Sequence, residues 1–255
     1  MGPGSWRRPL FFIVGIVGLL ATLWCGAGFR KEGSPGVSLP DVPPQQATTP
    51  KPADDLSGGP SAASDETFGS KVNRGNQLLK GKPEEAARVL TEAMQMNPND
   101  EDVHYNLGLA LTKLGQFPKA IEQYEQALRI FPNYAEAHNN LGNVLMRSGR
   151  TEEAIVHFES AVKLMPAYAS AHNNLGTALQ HSGRVQEANT HFERAVQIDP
   201  QYWEARYNLA LSCEQAGNLD RARRELEAVL RLRPQFEPAK MALGEMVEHR
   251  AAPLP

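Results

Sequence analysis

Cysteine is nearly absent from this chain of 255 residues, and its two copies cannot serve as a folding framework. Cys25 sits in an apolar block near the N-terminus and Cys213 in a distant helical pattern, so no structural disulfide is expected between them. There is no CxxC pair, and no Asn-x-Ser/Thr acceptor, which fits a host that does not glycosylate. Positive charge is not in excess either: 26 Lys and Arg against 29 Asp and Glu give a formal net charge of −3, so nucleic acid is not an expected partner. A phosphate loop, GxSxG, HExxH and any isolated Ser/His/Asp constellation are missing as well. Catalysis is therefore not expected, nor is a cofactor or a resident metal.

The apolar residues that are present are unevenly spread. After the tail 1–9, Leu10–Phe29 form an uncharged run, LFFIVGIVGLLATLWCGAGF, with Arg7 and Arg8 before it and Arg30 and Lys31 behind. At about 1.5 Å per residue such a helix spans roughly 30 Å, the thickness of a bilayer's hydrocarbon core. The full length of the run and the charged stop behind it favour an uncleaved transmembrane signal anchor. The alternative is a signal peptide cut after Ala27, releasing a secreted product. Trp24 before Cys25 does not suit a lipobox. The N-terminal amine with Arg7 and Arg8 slightly outweighs Arg30 and Lys31, the latter partly offset by Glu32, which puts the N-terminus inside and the remainder outside the cytoplasm of a bacterial inner membrane. Residues 30–66 are rich in Pro, Gly, Ser and Ala without an apolar period, and too little surface can be buried there to offset ordering entropy. A disordered spacer is expected.

From Thr67 onward the chain repeats itself. Pro98, Pro132, Pro166, Pro200 and Pro234 lie 34 residues apart, and so do Ala86, Ala120, Ala154, Ala188 and Ala222. Gly81, Gly115, Gly149, Gly183 and Gly217 form a third column, and Leu107, Leu141, Leu175, Leu209 and Leu243 a fourth. Several columns at one period indicate a stacked repeat. Within Glu101–Tyr134, Leu107, Gly108 and Leu111 mark a first helix closed by Gly115; Pro118 opens a second helix carrying Ala120, Tyr124, Ala127 and Leu128, which Pro132 stops. One hairpin buries too little alone, whereas five in a stack share a continuous core.

These units resemble tetratricopeptide repeats in their Leu-Gly pairs (107–108, 141–142, 175–176), second-helix alanines, Tyr124, Phe158, Phe192 and terminal prolines. The resemblance implies an all-α, right-handed solenoid of five helix-turn-helix units (67–100, 101–134, 135–168, 169–202, 203–236) and a capping helix over 237–250 with Met241, Leu243, Met246 and Val247 on one face. The outer units depart from the pattern: Leu90 and Leu226 replace the aromatic, and Ala210 replaces the glycine. The resemblance also implies that first helices line a concave groove for protein or extended peptide partners. Asn106, Asn140, Asn174 and Asn208 then form a ladder of amides, doubled by Asn139 and Asn173 and joined by Asn143, able to pair with a peptide main chain. The Ala-His-Asn-Asn-Leu-Gly runs at 137–142 and 171–176 are similar to repeats of O-linked N-acetylglucosamine transferases, without a catalytic domain beside them. On this reading Asn140→Ala with Asn174→Ala should weaken binding and leave stability almost intact. A carboxylate clamp of the chaperone-binding kind is not expected, since Val72, Glu136 and Asn140 stand where it needs cations. His104, His138 and His172, with His157 and His191 in second helices, are read as polar-edged packing residues: equivalent side chains of successive repeats stand about 10 Å apart, too far to share an ion.

Overall fold

The computed structural model describes residues 66–251; the tail 1–9, the run Leu10–Phe29 and the spacer up to residue 65 lie outside the described residues. Among the described residues there are eleven α-helices and no strand. They follow one another as hairpins: α1 (Phe68–Leu78) with α2 (Pro83–Met96), α3 (Glu101–Lys113) with α4 (Phe117–Ile130), and α5 (Ala135–Arg147) with α6 (Thr151–Leu164). Then come α7 (Ala169–His181) with α8 (Val185–Ile198), α9 (Trp203–Gln215) with α10 (Leu219–Leu232), and α11 (Glu237–Ala251). Each helix packs mainly on its neighbours in sequence, which is the contact pattern of a solenoid. No helix among the described residues is long and apolar enough to cross a membrane.

Helix boundaries follow from local chemistry. Asp100 Oδ1 accepts the Val103 N–H at 2.9 Å and starts α3. Its end is a Schellman turn: Gly115 takes φ 70°, and Gln116 N–H reaches back to the Leu111 carbonyl at 2.9 Å. The same bond closes α5, α7 and α9 at Gly149, Gly183 and Gly217, with φ of 76°, 77° and 78°. Gly81 shares their column in the sequence but not their conformation. The first hairpin is one residue shorter, and Lys82 N–H closes its turn on Leu78 O at 2.8 Å without a left-handed residue.

Each hairpin is locked by one close approach between its helices. Gly108, Gly142 and Gly176 leave room for the rings of Tyr124, Phe158 and Phe192, all fully buried. A Cβ on Gly142 would stand 2.6 Å from Phe158 Cε1, well inside van der Waals contact. Where the second helix carries Leu226, the first helix carries Ala210 instead of glycine, and both are buried. A single cluster of buried apolar side chains runs from Ala86 to Ala222. A second cluster, Ala210, Leu226, Val229 and Ala239, is covered by Leu243 and Met246 of α11. The sequence pattern places Met241 on that face as well, but it is 65% exposed. Two residues along a helix turn the side chain by about 200°, so Met241 cannot share a face with Leu243; Ala239, Ala242, Leu243 and Met246 make the seam.

Candidate peptide-binding face

The first helices α1, α3, α5, α7 and α9 touch one another in succession, whereas each second helix packs mainly between the first helix of its own hairpin and that of the next element. The first helices therefore form the closer-packed row, and the predicted asparagines sit along it. Their hydrogen bonds obey one rule. Each amide just before the Leu-Gly position donates to the residue 35 positions earlier, across the joint between repeats: Asn140 Nδ2 to Tyr105 Oη, Asn174 Nδ2 to Asn139 Oδ1, and Asn208 Nδ2 to Asn173 Oδ1, each at 2.9 Å. Asn139 Nδ2 continues to Tyr168 Oη at 3.4 Å.

Burial divides the set in two. Asn139, Asn173, Asn174 and Asn208 are buried at 0%, 2%, 2% and 9% exposure, between helices rather than on the surface. Asn106, Asn140 and Asn143 are half-buried and border solvent. The residue 34 positions before Asn106 is Val72, in the shorter first unit, which offers that amide no acceptor. Asn143 Oδ1 and Asn174 Oδ1 are buried acceptors without a partner, as is the hydroxyl of Tyr202. The expectation that Asn174→Ala is harmless to stability does not survive this geometry, because the substitution would strip Asn139 Oδ1 of its donor inside the stack.

Tyrosines flank the amides, a feature that sequence reasoning missed. Tyr105 and Tyr134 stack with centroids 4.8 Å apart, and Tyr134 donates to Asp102 Oδ1 at 2.9 Å. Burial raises the phenol pKa of Tyr105, Tyr134 and Tyr202, and lifts Tyr168 to about 12. Three of them fall one per repeat at the unit ends (134, 168, 202), and that column is visible in the sequence.

The histidines occupy the other flank of the first helices. His104, His138 and His172 each turn Nε2 toward the carbonyl of the proline six residues earlier, Pro98, Pro132 and Pro166, at 3.0, 3.1 and 3.2 Å. In the last repeat Arg206 Nε does the same to Pro200 at 2.9 Å. Each also meets the residue 19 positions later on the second helix: Gln123, His157, His191 and Glu225. Burial holds His138, His172 and His191 below the usual imidazole pKa, and takes His157, beside His138, down to about 4. Among the described residues no group of three or more His, Cys, Asp or Glu is placed to hold a metal.

With this geometry the comparisons with known proteins agree. A family profile described as TPR repeat matches residues 78–115 and 108–149, and two described as tetratricopeptide repeat match 133–201 and 179–246. The chain belongs to the tetratricopeptide-repeat family. Among solved structures, residues 41 to the end of MamA from Desulfovibrio magneticus RS-1 are 27% identical with a TM-score of 0.61, covering 69% of this chain and 99% of that one. YrrB, described as a TPR protein with an unusual peptide-binding site, is 22% identical with a TM-score of 0.59, covering 69% of this chain and 92% of that one. A thermophilic TPR protein of Thermus thermophilus, TTC0263, is 22% identical with a TM-score of 0.55, covering 71% and 100%. These last two show the fold alone. No curated protein matches the chain.

Proposed function

We propose that this chain is a scaffold whose first-helix face binds extended segments of other proteins, and that Leu10–Phe29 holds it to a membrane. The observation that carries the binding role is the division among the asparagines. Asn139, Asn173, Asn174 and Asn208 are buried in the joints and Asn140 donates to Tyr105 across one, whereas Asn106 and Asn143 make no side-chain hydrogen bond among the described residues and border solvent beside the tyrosine row. Amides and phenols of this kind satisfy a peptide main chain with little demand on its side chains. YrrB's description as a peptide-binding repeat protein is consistent with such a use. The test is a pull-down with the repeat-bearing chain, comparing wild type with Asn106→Ala/Asn143→Ala. Neither substitution removes a side-chain hydrogen bond found among the described residues, so captured partners should fall away while the melting curve is unchanged. Unaltered capture would refute the face.

The anchoring half rests on the twenty-residue uncharged run flanked by Arg7, Arg8, Arg30 and Lys31, with the repeats outside the cytoplasm of a bacterial inner membrane. Protease added to intact spheroplasts should then remove the repeats. Protection would reverse the orientation, and a product starting near Gly28 would mean a cleaved, secreted chain. A second reading makes the chain an accessory subunit presenting substrate to a separate enzyme such as a glycosyltransferase. It draws on the Ala-His-Asn-Asn-Leu-Gly runs, and it requires that a catalytic chain copurify.

A further inference from the structure

Two histidine pairs recur at the same place in successive hairpins and have no role in the proposed face. We propose that His138 with His157, and His172 with His191, each seat one divalent transition ion of the zinc class, clipping the first helix of the repeat to the second. The paired atoms are the Nδ1 nitrogens, 3.0 Å apart in one repeat and 3.1 Å in the next. Two nitrogens each about 2.0 Å from a tetrahedral ion stand about 3.3 Å apart with both lone pairs converging off the line between them, so an ion needs the rings to part by a few tenths of an ångström and each to turn by about 35°.

The protons are already arranged for it. A carbonyl oxygen only accepts, so the Nε2 atoms of His138 and His172 carry the hydrogens that go to Pro132 and Pro166. Their Nδ1 lone pairs therefore aim at His157 and His191, which in the metal-free protein answer with Nδ1–H. On binding, that proton moves through solvent to Nε2 of the same ring, both Nδ1 lone pairs bind the ion, and no net proton is released. A backbone carbonyl on the far nitrogen is the usual outer support of a metal-bound histidine, fixing its tautomer and orientation. Imidazole nitrogens suit zinc, copper and nickel rather than magnesium or calcium.

No third protein ligand is in place among the described residues. Glu153 and Glu187 stand one turn ahead of His157 and His191 on the same helices, but Arg150 and Arg184 hold them in ion pairs of 2.6 and 2.7 Å. Water completes the shell, and His138, His157 and His191 are exposed enough to admit it. The neighbouring hairpins act as internal controls: His104 faces Gln123 and Arg206 faces Glu225, so neither offers a second imidazole.

Calorimetric titration of the full chain with zinc chloride tests the assignment. Two ions should bind per chain, one for each pair. His157→Gln should leave one, and His157→Gln/His191→Gln none, whereas His104→Gln should leave both. Glutamine is already the native partner at this position in the α3–α4 hairpin, so the substituted hairpins have a precedent for folding. Circular dichroism of each variant checks that they do. Zinc should also raise the melting temperature of the wild type and not that of the double variant. Absence of saturable heat in the wild type, or binding that persists unchanged in the folded double variant, would overturn the proposal.

Discussion

At the scale of single residues, the asparagine columns separate fully buried amides from half-buried ones. Asn174 is 2% exposed and gives its amide to Asn139 in the preceding repeat. Alanine there leaves a buried oxygen without a donor, a loss of about 1–3 kcal/mol. Asn143 already holds a buried oxygen without a partner, so alanine should cost nothing or stabilise slightly. Urea titration of the two variants side by side should show a lowered midpoint for Asn174→Ala only. The tyrosines give a pH signature of definite sign. Burial raises the folded-state pKa of Tyr168 to about 12, against about 10 for an exposed phenol, so folding favours the neutral form. That contribution is intact below about pH 10 and is lost as the pH climbs toward 12. Tyr105, Tyr134 and Tyr202 shift in the same direction. Absorbance at the phenolate band and helical ellipticity should therefore change together between those pH values. Phenolate appearing near pH 10 with the helices intact would contradict the burial described.

At the scale of elements, the hairpin depends on one complementary pair. Gly142→Ala places a methyl group 2.6 Å from Phe158 Cε1 and 2.8 Å from its Cδ1, and overpacking of this kind costs about 1–3 kcal/mol. The last repeat shows the compensated form, Ala210 against Leu226. Gly142→Ala with Phe158→Leu should thus be more stable than the sum of the two single changes predicts, and a double-mutant cycle measures the difference. Additive losses would mean that the two helices do not meet there. This pairing was legible in the sequence in part: glycine and aromatic columns share one period and both change in the last repeat, but the first repeat keeps Gly75 against Leu90, whose Cγ would stand 2.6 Å from an added Cβ. Helix boundaries were legible, since proline and glycine act within a turn of where they stand. The amide register was not. A period of 34 aligns equivalent residues, but the bonds that cross a repeat joint link residues 35 apart, and only the stacking of the helices creates that offset. The histidine pairs were hidden differently: their 19-residue spacing lies inside one repeat, so comparing repeat with repeat passes over it.

At the scale of the whole described region, stability should be distributed like that of a one-dimensional stack, each hairpin depending on its own packing and on its two interfaces. The main apolar cluster is continuous from Ala86 to Ala222, which protects the middle hairpins from both sides. The far end is different. Ala210, Leu226 and Val229 form a separate cluster whose outer wall is α11, with Phe236 set edge-on to Trp203 and Tyr207 at centroid distances of 4.8 and 5.0 Å. Removing residues 237–255 would expose that seam but leave Phe158 and Phe192 in their sites in the earlier hairpins. Hydrogen exchange on the truncated chain should accordingly show lost protection in α9 and α10, with α5 to α7 exchanging as in the full chain. Because interfaces in such a stack transmit only to their neighbours, the effect should decay within one hairpin. Uniform loss of protection from α3 to α10 would instead show that the stack unfolds as one cooperative unit, with α11 required by every repeat rather than by the last.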